Sequence, residues 1–280
     1  MWFVGTIHGH NGNKLVTPKL KLDTEAFERE VQMVDRLSLE WPVIASALGL
    51  KDLDLTWQMD YCERACLIAI LQNLRPEFGI EVGTFSGGSL AALSRFSQRV
   101  FSLDINPLSS QRLEGRFPNV TYAVGDSKVE LPRVLEQVER LQSGPIFILV
   151  DGDHSRSGVL ADLSNVLKFR PRFPTVVMCH DSFNPDCRRG MIEAPWASNP
   201  HVHLVELDFE RGGIFEVTQG VMWGGLALAV MLPERRQVPL LIGQRHQMLF
   251  NAIYRQSPHR HGWIHKVVNR GLRRFSRRAC

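Results

Sequence analysis

The chain has 280 residues, 44% hydrophobic and 22% charged, which suits an ordinary globular protein with one large domain and extensions. No segment reaches the uninterrupted apolar length of about 20 residues that a bilayer demands, and residues 1–8 lack the basic region and apolar stretch of a secretory signal, so a cytoplasmic location is expected. The net charge of +4 is divided: residues 234–280 carry eleven Lys and Arg against one acid, a balance of +10, leaving −6 for residues 1–233, unlike a uniformly basic nucleic-acid binder.

Residues 1–22 read as irregular, a helical pattern follows over 23–39, and Trp41-Pro42 and Gly49 interrupt it before a second helix over 56–74. These residues form an expected helical cap, 1–56, leading into the main domain, 57–233. Within that domain apolar runs at 79–83, 99–104, 120–124, 146–151, 174–179, 203–208 and 226–231 alternate with helical patterns. Such alternation predicts an α/β fold with a Rossmann-like, doubly wound, mostly parallel sheet of seven strands. Gly212-Gly213 reads as a turn and Gly224-Gly225 precedes the final apolar run, so the last strand is expected to be antiparallel and to lie at the sheet edge. Residues 234–280 are expected to stand outside this core as a basic, amphipathic, helical tail. The five cysteines show no disulfide framework and suit free thiols. Cys62 and Cys66 lie four apart on a helix with no second ligand pair at zinc-finger spacing, and read as buried helix residues.

Residues 79–89, Gly-Ile-Glu-Val-Gly-Thr-Phe-Ser-Gly-Gly-Ser, carry the strongest signal. An apolar strand ends in a glycine-rich turn that opens a helix, as a nucleotide-like cofactor requires. The spacing is Glu-x-Gly-x-x-x-Gly-Gly rather than the Gly-x-Gly-x-x-Gly of dinucleotide sites. Glu81 before the turn would repel a phosphate and attract a cationic amino-acid group such as that of S-adenosylmethionine. Asp104 ends the second strand, 21 residues after Gly83, where a carboxylate can hold ribose hydroxyls. Gly125-Asp126-Ser127 follows the third strand, where it can reach the adenine amino group or cap a helix. After the fourth and fifth strands come Asp151-Gly-Asp153-His154 and His180-Asp181, three carboxylates and two imidazoles at the edge where open α/β sheets bind ligands. Asp151 and Asp181 are the candidate ligands of a divalent cation such as Mg²⁺, with His154 as the base; a metal-free mechanism using His154 alone is the alternative. Asp153 reads as a helix cap.

As a set, Tyr61-Cys-Glu-Arg, Glu81 to Ser89, Asp104, Gly125-Asp126-Ser127, Asp151-Gly-Asp-His154 and His180-Asp181 resemble the class I S-adenosylmethionine-dependent methyltransferases. The resemblance is to the small-molecule O-methyltransferase group that includes macrocin-type sugar methyltransferases and cephalosporin-hydroxylase-like proteins, and it covers about residues 57–232. It implies cofactor binding by Glu81, Gly83, Thr84, Phe85, Ser86, Gly87 and Ser89 of the turn, by Asp104, by Asp126 and Ser127, and by Asp151. It also implies metal at the Asp151 and Asp181 positions and a base at His154. Relatives that use a metal often carry an acid just before the second aspartate; here that residue is His180, which makes a mixed nitrogen and oxygen site the expectation.

Arg188-Arg189 and Trp196, in the segment 183–200, are candidates for an acceptor pocket, although a solvated loop has the same composition. In the tail, Ile264, Val268, Leu272 and Phe275 fall on one helical stripe and six Lys and Arg cover the rest, as on a helix lying at an anionic membrane surface or packing in an oligomer. The expected activity is methyl transfer to a hydroxyl of a sugar, glycolipid or other specialised metabolite by an enzyme with peripheral membrane contact. A homo-oligomer is expected and a nucleic-acid partner is not. The competing readings are an NAD-dependent oxidoreductase and a membrane-associated binding protein with a degenerate Rossmann fold.

Overall fold

The computed structural model describes residues 55–214 and 221–261. The expected helix over 23–39, the amphipathic stripe from Ile264 to Phe275 and Cys280 lie outside these residues.

Helix α1, Tyr61–Leu74, begins later than the expected residue 56 because Asp60 caps it. The Asp60 side chain accepts from Glu63 N at 2.9 Å and the Glu63 carboxylate accepts from Asp60 N at 2.7 Å, so two otherwise orphaned donors are satisfied together. The alternation then runs β1 Phe78–Val82, α2 Gly88–Phe96, β2 Arg99–Asp104, α3 Pro107–Leu113, β3 Val120–Val124, α4 Ser127–Leu141, β4 Ile146–Val150, α5 Arg156–Val166, β5 Thr175–His180 and α6 Pro185–Glu193. Two long strands, β6 Val202–Ile214 and β7 Met222–Met231, a short β8 Ile242–Gly243 and α7 Gln247–Gln256 complete it.

Strand β4 shows why the sheet is covered on both faces. Its residues Ile146, Ile148 and Val150 pack with Leu131 and Val138 of α4 and with Val159 and Leu163 of α5. The intervening Phe147 and Leu149 pack with Leu67 and Leu71 of α1 and with Leu90 and Leu93 of α2. A period-two chain that is apolar on both sides has no solvated face, which is the signature of a parallel sheet between helical layers. Full burial of each such side chain contributes about 2 kcal/mol.

The sheet order is β3-β2-β1-β4-β5-β7-β6-β8. Strands β1 to β5 pair in parallel, whereas β7 is antiparallel to both β5 and β6. The seven expected strands are present, joined by β8. The antiparallel strand is not at the edge as expected: β7 sits between β5 and β6. The Gly212-Gly213 turn is also corrected, since both glycines lie within β6, opposite Gly224 and Trp223.

Residues 234–261 do not stand outside the core. Strand β8 pairs with β6, the Arg245 guanidinium meets Glu206 at 3.1 Å, and His246 N donates to Asp208 at 2.9 Å. Phe250 of α7 packs edge-on against Phe183 at 5.6 Å between ring centroids.

Candidate active site

Adjacent strands β1, β4, β5 and β7 bring four segments to one crest: the turn after β1, Asp151 to His154 after β4, His180-Asp181 at the end of β5, and Trp223 to Gly225 in β7. The registers Val82 to Val150, Val150 to Cys179 and His180 to Leu226 place these segments side by side.

In the first turn Gly83 has φ of +97°, and a Cβ there would lie 2.1 Å from the Asp151 carbonyl oxygen. Only glycine permits both the conformation and the close approach of the β1 and β4 loops. Asp104 fixes the same turn from β2: its Oδ2 accepts from Thr84 N at 3.1 Å and Phe85 N at 2.9 Å, and Oδ1 accepts from Asn106 N at 2.8 Å. A carboxylate has about four acceptor positions, so Asp104 keeps capacity for a ligand hydroxyl. Ser86 Oγ is buried and has no hydrogen-bond partner among the described residues, an orphaned polar atom that suits a turn built to receive a polar ligand.

Several expected ligand contacts take other roles. Glu81 is fully buried, and its carboxylate accepts from Ser89 Oγ and Ser102 Oγ, each at 2.6 Å. Burial raises it to about 8, against the hydrogen bonds from Ser102 and Ser89 that oppose the shift. Glu81 therefore braces the turn from beneath, and Ser89 is held by it. The Thr84 hydroxyl likewise pairs with Ser102 Oγ at 2.6 Å. Asp126 is exposed at the end of β3 and caps α4 through Lys128 N at 2.9 Å, whereas the Ser127 hydroxyl donates to Asp162 on α5 at 2.7 Å. Asp153 accepts from Ser155 N at 2.9 Å, but the cap of α5 is Ser155.

The cluster between β4 and β5 is the chemical centre. His154 Nε2 lies 3.0 Å from Asp181 Oδ2 and 3.3 Å from Asp151 Oδ1. Among the described residues, Asp151, His154 and Asp181 form the group whose ligand atoms converge within 4.8 Å, as a single cation would require. His180, expected as a ligand, lies outside this group. Its Nδ1 lies 3.0 Å from Asp151 Oδ1 and its Nε2 3.2 Å from Glu63 Oε2, so both ring nitrogens are engaged inside the protein. Asp181 has φ of +61°, a strained conformation held where its Oδ1 accepts from Gly224 N at 2.7 Å.

Electrostatics follow from this packing. Burial opposes the charge on Asp151, but His180 and His154 outweigh it and hold the carboxyl well below the usual range. Burial likewise disfavours the His154 cation, yet hydrogen bonds to Asp151 and Asp181 push its pKa up to about 10. The His154 side chain remains 37% exposed, and Trp223 stands edge-on to its ring at 5.3 Å. Sequence reasoning missed the roles of Glu63 and Trp223. Glu63 also accepts from Gly225 N, so the acid of Tyr61-Cys-Glu-Arg ties α1 to the crest. An acid at the third helical position and a Gly-Gly pair before an apolar run were the available signals.

The acceptor-pocket candidates are corrected as well. Arg188 is 2% exposed and forms a bidentate pair with Asp208 at 2.7 and 3.3 Å, and Trp196 is buried with its Nε1 donating to Met191 O. Arg189 alone of these is exposed. Cys62 is exposed and Cys66 half-buried, contrary to the buried reading.

A parallel sheet with β7 inserted antiparallel beside β5, and a glycine turn after β1, is the Rossmann-like methyltransferase fold of class I. Within it, residues 80–182 match the family model described as a methyltransferase domain. The chain is 31% identical over 103 residues to a rhamnosyl O-methyltransferase of Mycobacterium bovis (strain BCG / Pasteur 1173P2), covering 34% of this chain and 41% of the relative. The same values hold for the rhamnosyl O-methyltransferase of Mycobacterium tuberculosis (strain H37Rv). The matched region thus spans about two-fifths of these relatives. Among solved structures, an O-methyltransferase from Bacillus cereus in complex with SAH is 19% identical with a TM-score of 0.46, over 76% of this chain and 93% of that one. An O-methyltransferase from Streptomyces achromogenes involved in tomaymycin synthesis is 16% identical with a TM-score of 0.46, over 76% of this chain and 92% of that one.

Proposed function

We propose that the chain transfers the methyl group of S-adenosylmethionine to a hydroxyl of a sugar or a sugar-bearing lipid. The observation that carries this reading is the Asp151, His154 and Asp181 cluster beside the Gly83 turn, because it joins a proton acceptor and a charged anchor to a ligand cradle at one crest. The donor would lie along the ends of β1, β2 and β3, where Ser86 Oγ is unpartnered, Asp104 keeps acceptor capacity and Asp126 is exposed. The acceptor would then approach over β4 and β5, facing the exposed side of His154. The rhamnosyl O-methyltransferases named above support a sugar as the acceptor.

In this reading the acceptor oxygen attacks the methyl carbon, the carbon–sulfur bond breaks in line, and the hydroxyl proton passes to His154 Nδ1, the ring nitrogen that does not face the two carboxylates. The protein aligns the two reactants and receives the proton. His154 must be neutral to do so, and its carboxylate neighbours oppose that state. Alternatively, Asp151, His154 and Asp181 form a mixed nitrogen and oxygen donor set that fits a divalent cation, and with His154 spent as a ligand the proton would leave to solvent rather than to the imidazole. Such a cation, when bound, would polarise the acceptor hydroxyl and lower its pKa. Trp223, at the mouth of the cluster, offers an aromatic face to the acceptor.

The test is methylation of a panel of rhamnosides and other glycosides by the full chain, with and without added divalent cation, followed by mass spectrometry. Methylated product is expected, with His154→Ala and Asp181→Ala slower by about 100-fold or more. Product formation untouched by either substitution would contradict the proposal.

A further inference from the structure

The opposite edge of the sheet carries a second concavity. Residues 167–170 lead toward β5, residues 198–201 lead into β6, and Arg235 follows β7. Thr175 and Val202, at the starts of β5 and β6, both register with Met231 near the end of β7, so all three segments meet at the edge away from the crest. Strand β5, six residues long, separates the two ends by about 20 Å.

This concavity has a volume of about 470 Å³, within the range of small-molecule sites. Among the described residues, Lys168, Arg170, His201 and Arg235 line it and no carboxylate does. Among the described residues, the Arg170 and Arg235 guanidinium groups form no ion pair, although Arg170 N donates to the Glu139 carboxylate at 3.2 Å, and Lys168 Nζ meets the neutral Asn165 Oδ1 at 2.9 Å. Lys168, Arg170 and Arg235 are exposed side chains held on a fixed frame. Buried Asn199 donates to the carbonyls of Leu167 and Phe169 at 3.0 and 2.9 Å and accepts from His201 N at 2.8 Å. His201 in turn donates Nδ1–H to the Leu232 carbonyl at 3.0 Å, and Arg236 N donates to Pro200 O at 2.7 Å. Three separate segments are thereby laced into one rim. Unpaired like charges gathered around a concavity oppose the compact state, and an anion relieves that opposition.

We propose that this cavity binds a phosphate or diphosphate group, at a site separate from the methyl-transfer crest. Two arginines and a lysine supply the planar and point-charge donors that phosphate oxygens accept. The group belongs either to a soluble molecule or to a lipid headgroup; both present the same chemistry to these side chains.

The test is calorimetric titration of the full chain with inorganic pyrophosphate at low ionic strength. The variants are Lys168→Gln/Arg170→Gln/Arg235→Gln and, as a control, Arg133→Gln, whose side chain is 69% exposed and does not line the cavity. Wild type and control are expected to bind alike and the triple variant about tenfold or more weaker, in keeping with charge-assisted hydrogen bonds. S-adenosylhomocysteine binding is expected to stay unchanged. Arg235→Gln alone, expected to weaken binding several-fold, serves if the triple variant melts early. A second arm sediments the protein with vesicles of phosphatidylcholine containing phosphatidic acid. Pyrophosphate-sensitive sedimentation that the triple variant lacks assigns the headgroup, and pyrophosphate binding with sedimentation that neither pyrophosphate nor the triple substitution changes assigns the soluble molecule. No pyrophosphate binding by wild type, or equal binding by wild type and the triple variant, overturns the proposal.

Discussion

His154 is where the chemistry and the electrostatics oppose each other most directly. With its pKa pushed up to about 10, the imidazole is charged at neutral pH and becomes a proton acceptor only as pH rises through that value. The kcat/KM of chelator-treated protein should therefore climb toward pH 10, and added divalent cation should move the climb to lower pH by competing with the proton. A profile that is flat in both conditions would remove His154 from proton transfer. Glu81 gives a second prediction, on stability. Its folded-state pKa of about 8 exceeds the unfolded value, so the native state binds the extra proton, and the stabilisation is lost as pH rises through 8. Glu81→Gln, which keeps the shape without the charge, should melt close to wild type near pH 5 and above it near pH 9. A wild-type melting curve that does not fall across that interval would contradict the assignment. The positions of Glu81, Asp104, Asp151 and Asp181 at strand ends were legible because each is the polar break in an apolar run. Their partners were not legible: Ser89 and Ser102 on Glu81, or Glu63 on His180, are contacts between residues distant in sequence.

At the scale of elements, the sequence placed β1 to β5 closely because each is a short apolar run bounded by turn residues. It missed the position of β7, since a period-two apolar pattern is the same whether a strand lies at an edge or between two others. The segment 183–200 that holds helix α6 was read either as an acceptor-pocket insertion or as a solvated loop. Its Asn184 cap and Pro185 instead open a helix that delivers Arg188 to buried Asp208. Arg188 also lies over the Phe250 ring at 4.5 Å and donates to Gln247 at 2.9 Å, so this pair fastens α7 to the sheet. Arg188→Ala leaves Asp208 buried and unpaired, and denaturant titration should show a loss of about 3–5 kcal/mol. The double variant Arg188→Met/Asp208→Leu should recover much of that loss. An Arg188→Ala protein as stable as wild type would show that the pair does not hold α7.

For the whole molecule, the division between an acidic body and a basic C-terminal region survives with a changed boundary. Residues 234–261 belong to the folded body through β8, Arg236, Arg245 and Phe250, so the proposal of membrane contact through a basic tail now concerns residues 262–280. Truncation after residue 261 should abolish sedimentation with anionic vesicles while leaving the melting temperature unchanged; vesicle binding that persists would refute a membrane role for that segment. No helix among the described residues is long and apolar enough to cross a membrane. The central claim is that the Gly83 turn and Asp104 cradle S-adenosylmethionine. Calorimetric titration with S-adenosylhomocysteine tests it most directly, on wild type and Asp104→Ala, each with chelator and with Mg²⁺. Saturable binding by wild type that is lost in Asp104→Ala is the expected result. Absence of binding by folded wild-type protein in either condition would contradict the methyltransferase reading and leave a Rossmann-like binding protein in its place.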